Sequence, residues 1–502
     1  MKRLDLTPLF ITGLAVGALS LACGTEGSSD DGNMDSGLPL PGATAGTDAD
    51  GMTAGEEEDT GELLDAGNGS GTNPGCNIGD TGCTDQIDLL FVIDNSGTMG
   101  EEQLNLARNF PLLIEQLENL TDSAGMPVNP DVQIMVTTSD FGNPLCTPFE
   151  PEGYDPARGA PVDSSCRTRL TDFTDLLGTT SVPEACENLC PNDVEPEDVY
   201  IAFNPEGDNI PDSVTPVDID GDGTLDSPAA QALSCLGPQG INGCGYESPL
   251  ENMLQALNPD AEWNQGSRPF LRENALLAIA MITDEADCSV KDYTIMENAG
   301  FQNVNPDSGM PAASSAICWN AGVTCDGPDA MGVYSNCTSN TDEHLQPITR
   351  YTNYLIQELR ENQDKEVIML GILGVPLVTE RNSDPPFQPI AGGVFDLEYR
   401  NWRDGEYPTG DILPEEFNAM ETAADKQFDF GIGPGCTGTN DLGEFTGQAI
   451  PPVRIKEVCE SLNLGPEAAD TRCCIESICD QDFSPAIGCL TGIIQESITT
   501  PG

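Results

Sequence analysis

The stretch 87–99 limits what this chain can fold into more than any other. Six of the seven residues 87–93 are apolar, most of them β-branched or bulky, which predicts a strand buried on both faces, as in parallel sheets. The strand runs into Asp94-Asn95-Ser96-Gly97-Thr98, where carboxylate and hydroxyl oxygens alternate along a tight turn. Behind the turn, 101–120 has helical spacing, with Leu104, Ala107, Phe110, Leu113, Ile114 and Leu117 on one face. Strand, turn and helix in that order set hard oxygen ligands at the carboxyl edge of a sheet, where open α/β folds bind ligands. Oxygens of this kind suit Mg²⁺, Ca²⁺ or Mn²⁺ better than a soft metal. The blander reading is a turn that only caps the helix.

Further along, the same grammar repeats. Residues 131–137 predict a second strand, 249–257 a short helix, and 270–277 a helix leading into a strand at 278–283. That third strand delivers Asp284 at its carboxyl end, followed by Glu285-Ala286-Asp287-Cys288. A helix at 349–362 carries Tyr351, Tyr354, Leu355 and Leu359 on a face, and 366–375 is a strong buried strand. The tail reads as a helical segment at 454–462, a Cys-dense turn (Cys473, Cys474, Cys479) and a last amphipathic helix at 483–497. Alternating strands and helices predict one α/β body with a doubly wound, mostly parallel sheet. The body spans 76–502, and 141–243, 289–345 and 376–450 read as long Pro/Gly-rich, cystine-bearing insertions without large cores of their own. Adjacent Cys473 and Cys474 point different ways, so each is expected to bond elsewhere.

Charge narrows the partners. Nineteen Lys and Arg against 84 Asp and Glu leave a formal charge of −65, a field that repels phosphate backbones and excludes nucleic acid as a natural partner. The single histidine, His344, rules against His-rich zinc sites and a Ser-His-Asp triad. No enzyme is expected from this inventory.

The N-terminus has the form of an export signal over 1–22, with Lys2 and Arg3 ahead of a short apolar run. It ends in Leu19-Ser20-Leu21-Ala22-Cys23-Gly24, which looks like a bacterial lipobox and makes Cys23 the lipidation site. Ser20 stands where such boxes usually carry Leu. The chain has 19 Cys, and setting Cys23 aside leaves an even number suited to disulfides in an oxidising compartment. Residues 23–75 are rich in Gly, Ser, Thr, Asp and Glu and form no core, as befits a solvated tether. An exported, lipid-anchored protein of the cell envelope follows, and Gly24 favours the outer membrane or cell surface.

Inside the first insertion, Asp218, Asp220, Asp222 and Asp226 occupy rungs 1, 3, 5 and 9 of a calcium-type ladder with Gly at position 6. Position 12 is Ala229, so the loop is no full EF-hand and looks more like the aspartate ladders of thrombospondin type 3 repeats. Fourteen residues upstream, Asn204, Glu206, Asp208 and Asp212 fall on matching rungs, so Ca²⁺ is expected across 204–226.

The turn at Asp94-x-Ser96-x-Thr98 resembles the metal-ion-dependent adhesion site of von Willebrand factor type A domains. The likeness is strongest at 87–120, 270–288 and 349–375. Together with the lipobox and acidic tether, it is similar to that of cell-surface lipoproteins of predatory or gliding deltaproteobacteria. The resemblance implies that Asp94, Ser96 and Thr98 supply first-loop ligands, with Asp284 completing the metal shell, often through water. The family's remaining ligand is a Thr, and the corresponding loop here reads Gly245-Tyr246-Glu247-Ser248-Pro249, so Glu247 or Ser248 would take its place. An ion held without a filled shell can accept a carboxylate from a partner protein, which implies metal-dependent recognition or adhesion. The alternatives are an envelope scaffold whose cation is structural and whose insertions bind partners, and, third, a metal-assisted hydrolase.

Overall fold

The computed structural model describes residues 85–498, apart from 123–124, 152, 177, 179, 341–343, 406–409, 412–420 and 440–444. The export signal, Cys23, the tether and the pair Cys76 and Cys83 therefore lie outside the described residues. No helix among the described residues is long and apolar enough to cross a membrane.

Burial alternates along the first strand and sets the layers. In β1 (Gln86–Ile93), Ile87, Leu89, Phe91 and Ile93 face one apolar cluster, and Leu90 and Val92 face another. The first cluster is completed by α1 (Gly100–Glu118), α2 (Pro228–Leu236) and α7 (Ser484–Ile498). The second takes α3 (Pro249–Ala256), α4 (Ile348–Thr352, running on as a π-helical stretch Asn353–Asn362) and α6 (Val453–Glu460). Helices thus cover both faces of the sheet, which is why its central strands are apolar on every side.

The sheet has seven strands in the order β9-β6-β5-β1-β2-β3-β4. Besides β1 these are β2 (Asp131–Thr138), β3 (Ile201–Asn204), β4 (Gly207–Asp208), β5 (Leu276–Ile282), β6 (Val367–Leu373) and β9 (Cys473–Ser477). Five run parallel, while β3 and β4 add an antiparallel edge. From β1 the chain first builds β2 on one side and later β5 on the other, so the direction of winding reverses between β1 and β5. An antiparallel hairpin, β7 (Cys436–Thr439) with β8 (Phe445–Ala449), and the helix α5 (Ala423–Phe430) come from the insertion at 376–450.

Two sequence expectations need correction. Residues 270–275 are turns, not a helix, because tertiary partners take their backbone groups. The buried Asp88 carboxylate accepts the Arg272 N–H at 2.7 Å, and the Lys365 ammonium donates to the carbonyls of Arg272 and Ala275. The Cys-dense turn is in fact the edge strand β9. Its alternation sends Cys473 to Cys459 of α6 and Cys474 to Cys489 of α7, so neighbouring cysteines clamp opposite faces of the sheet. Within the first insertion, β3 and β4 extend the sheet and α2 packs into its core.

Every cysteine among the described residues is paired, in eight disulfides. Two of them bear on the sheet's carboxyl edge. Cys146–Cys244 ties the chain after β2 to the loop before α3, and Cys436–Cys479 ties the β7–β8 hairpin to the chain after β9.

Candidate metal centre

Strand register alone brings the acidic residues together. Ile93 of β1 pairs with Thr138 of β2 and with Ile282 of β5, so the residues that follow, Asp94, Ser139-Asp140 and Thr283-Asp284, emerge side by side. Parallel strands lie about 4.8 Å apart, the separation at which side chains from adjacent ends share a pocket. The pocket opens where the winding reverses, at the place where open α/β sheets bind ligands.

The loops lock into one another. Thr283 donates its hydroxyl to Asp94 Oδ2 at 2.5 Å, and the Ser96 N–H donates to Asp94 Oδ1 at 2.8 Å. The Ser96 and Thr98 hydroxyls lie 3.3 Å apart, and Thr98 and Asp284 line the same cavity. Asp94, Ser96 and Thr98 are thus brought together with Asp284. Gln103 on α1 steadies the turn from behind, donating to the Asp94 carbonyl at 2.8 Å and to the Gly240 carbonyl at 2.6 Å. Gly243 approaches so closely that a Cβ there would stand 2.5 Å from the Asn95 side chain, which would have to move aside.

Glu247 belongs to the same cluster and Ser248 does not. The Glu247 carboxylate is buried beside Asp94 and Asp140 and accepts a hydrogen bond from the Ser139 hydroxyl. Ser248 instead spends its hydroxyl on the Cys288 carbonyl at 2.9 Å.

Sequence reasoning missed Asp140, Glu102 and Glu285. Asp140 accepts from the Tyr154 hydroxyl at 2.6 Å and from the Cys244 N–H at 3.1 Å, and Glu102 stands on the first turn of α1. The signal for Asp140 was present, since it follows an apolar strand as Asp94 and Asp284 do.

So many carboxylates cannot all be ionised in a space this dry. Burial raises Asp94 from its ordinary 3.8 to about 6, against the pull of the Thr283 and Ser96 hydrogen bonds. Burial, reinforced by the charge of Asp94, raises Asp284 to about 7. Glu247, Glu102 and Glu285 are pushed well above the usual range, first by burial and then by their acidic neighbours. Lys426 on α5 opposes the rise of Glu285.

Asp284 Oδ1, Glu247 Oε1 and Glu102 Oε2 are buried acceptors with no donor. An unsatisfied buried acceptor costs about 1–3 kcal/mol, and a hard divalent cation satisfies several at once. Two hydroxyls and this carboxylate set offer the hard oxygens such an ion takes, although no three of these carboxylates bring their oxygens within 4.8 Å of one another as those of the next site do.

In the loop 218–226, carboxylate oxygens of Asp218, Asp220 and Asp222 all lie within 4.8 Å of one another on the exposed surface. The bridge between Val217 and Asp226 closes the loop, and Asp226 Oδ2 accepts the Ile219 N–H at 2.7 Å. Asp226 is thereby committed to holding the loop's shape. Ala229, at the twelfth position, is buried in α2. The upstream rungs are spread along the β3–β4 hairpin: Asn204 ends β3, its side-chain oxygen accepting the Glu206 N–H at 2.8 Å, while Asp208 lies in β4 and accepts the Ile210 N–H at 3.0 Å. With Asp212 further on, they do not form a second cluster of the Asp218–Asp222 kind. The three cysteines Cys166, Cys186 and Cys190 also approach one another, but each is consumed in a disulfide.

Compared with known protein families, with curated proteins and with solved structures, the chain matches none.

Proposed function

We propose that the chain is an exported, lipid-anchored protein of the von Willebrand factor type A kind, with a doubly wound sheet and a divalent cation over Asp94, Ser96, Thr98, Glu247 and Asp284. The ion, Mg²⁺, Ca²⁺ or Mn²⁺, keeps one position open and takes there a carboxylate offered by a partner protein. One observation carries this reading. Asp94 and Thr283-Asp284 leave neighbouring strands in register, and the Asp284 and Glu247 oxygens at that point are buried without donors. Glu247 replaces a neutral hydroxyl in the shell, which strengthens the hold on the ion and weakens the ion's pull on a guest carboxylate.

The test is a pull-down from envelope lysate with Mg²⁺, Ca²⁺ and chelator in parallel. Recovery of a partner is expected with an ion, and is expected to vanish with chelator and with Asp94→Ala. Equal recovery by wild type and Asp94→Ala would reject metal-dependent recognition in favour of a scaffold whose insertions bind.

The same reading gives the loop 218–226 a structural Ca²⁺, held in the weak range of about 10⁻⁴ to 10⁻³ M usual for extracellular modules. Asp218→Ala with Asp220→Ala is expected to lower the melting temperature in calcium buffer and to leave it unchanged in chelator. Identical melting in calcium would remove Ca²⁺ from this loop.

A further inference from the structure

A cleft of about 590 Å³ lies between the chain that follows β2, the approach to β3 and the connection from α3 to β5. Its volume falls within the roughly 300–1,000 Å³ usual for ligand pockets, and no residue of the metal centre lines it. Four carboxylates, those of Asp163, Glu197, Asp198 and Glu262, line it against one guanidinium, that of Arg268. Asp198 is spent on Arg268 in an ion pair. Asp163, Glu197 and Glu262 are exposed, and none of the three side chains has a hydrogen bond or ion pair among the described residues. The cleft therefore offers acceptors that a ligand can reach.

One wall is aromatic. Trp263 is half-buried, and its indole N–H is committed to the Ala256 carbonyl at 2.8 Å, so the part of the ring left to the cleft is carbon. The wall is built without a guest. The Phe270 N–H donates to the Trp263 carbonyl at 2.8 Å, and the Asn264 amide donates to the Ala256 carbonyl at 2.9 Å. Tyr200, 2% exposed, donates its hydroxyl to the Arg268 carbonyl at 3.1 Å. A metal ion does not suit this place. No three of its carboxylates bring their oxygens within 4.8 Å of one another, as those of Asp218, Asp220 and Asp222 do. Acceptors spread around a carbon-walled hollow suit a larger cation with an apolar part.

We infer that this cleft binds an alkylammonium, the chemistry of a lysine side chain or of a free diamine. The alkyl stem lies along Trp263, whose ring also attracts the cationic end. The ammonium, a compact charge with three rotatable donors, serves carboxylates that come from separate loops, Asp163, Glu197 and Glu262. A planar guanidinium is less well served, because Asp198 is already held by the chain's own Arg268. A cleft lined mainly by one sign of charge also gathers such cations from solution.

The experiment is calorimetric titration of the full chain, in chelator so that the metal centre plays no part, with 1,5-diaminopentane, with blocked lysine (N-acetyl, N-methylamide) and with blocked norleucine, which keeps the stem and lacks the charge. Wild type is expected to bind both ammonium probes and not norleucine. Tighter binding of blocked lysine points to a protein side chain as the source, and tighter binding of the diamine to a free amine. Trp263→Leu is expected to weaken the ammonium probes about tenfold. Glu197→Gln with Glu262→Gln, both exposed and without side-chain partners, is expected to weaken them about fivefold. Glu297→Gln with Asp307→Asn removes two exposed carboxylates outside the cleft and is expected to change nothing. A readout that needs no substitution is the indole ¹⁵N–H spectrum of wild type, whose three tryptophans give three resonances, one of which is expected to move with blocked lysine. No uptake of either ammonium probe by wild type, norleucine bound as well as lysine, no moving indole, or equal losses in the two carboxylate double variants overturns the cleft and leaves the metal centre untouched.

Discussion

Mg²⁺ at a hundredfold excess over its dissociation constant is expected to stabilise the wild type at pH 8 by about 2.7 kcal/mol, a rise in Tm on the order of 5 °C. Asp94→Asn is expected to show none of this gain. In chelator the order reverses, and the variant should melt at or above the wild type, because one charge has left a crowded acidic pocket. The pH dependence follows from the raised carboxyls of Asp94, about 6, and Asp284, about 7, against an ordinary 3.8. A raised value means that the folded chain holds protons the unfolded chain has released. That contribution is full below about pH 4 and is lost as pH climbs through 6 to 7, so chelated wild type loses stability over that interval. The ion replaces those protons; its gain is therefore largest above pH 7 and small near pH 5. Thermal melts of both proteins, with Mg²⁺ and with chelator, read all of this. An equal Mg²⁺ gain in Asp94→Asn would place the ion elsewhere.

Arg454→Met is expected to destabilise the chain by about 3–5 kcal/mol without touching the metal centre. Arg454 on α6 reaches the Asp287 carboxylate at 2.8 Å, and the two side chains are 2% and 0% exposed. It also donates to the Gln346 carbonyl at 2.7 Å, while Asp287 accepts from the Ser289 hydroxyl at 2.6 Å and the Leu250 N–H at 3.3 Å. The pair therefore joins α6, the loop after β5 and the start of α3. Removing the guanidinium leaves a buried carboxylate facing apolar surface, and adding Asp287→Asn to the variant is expected to recover much of the loss. Urea unfolding measures both. A single variant within about 1 kcal/mol of wild type would show that this pair carries no net stability.

The strand-end positions of the acidic residues were legible locally. Asp94, Ser96, Thr98 and Asp284 each follow a strand whose apolar run announces itself, and the structure brings them to one edge through the register of β1 with β5 and the Thr283–Asp94 hydrogen bond. The Glu247 or Ser248 alternative could not be decided from spacing, because both lie in one loop and only the chain's path sends Glu247 toward Ser139 and Ser248 toward Cys288. Glu102 was hidden by its ordinary place in the first turn of a helix. Lys426 sits in a segment without periodicity, and nothing in its neighbours indicates that the segment folds back over a site more than a hundred residues away.

The order of residues by itself determined the buried strands, the helices that flank them and the oxygen-bearing turns, because each depends on contacts within a few residues and on the period of apolar side chains. Tertiary structure alone decided that 270–275 would give its backbone to Asp88 and Lys365, that Cys473–Ser477 would become an edge strand, and which acids would share one dry pocket. Those outcomes turn on pairings across long stretches of chain, where strand register and the exclusion of water, more than local preference, set the free energy.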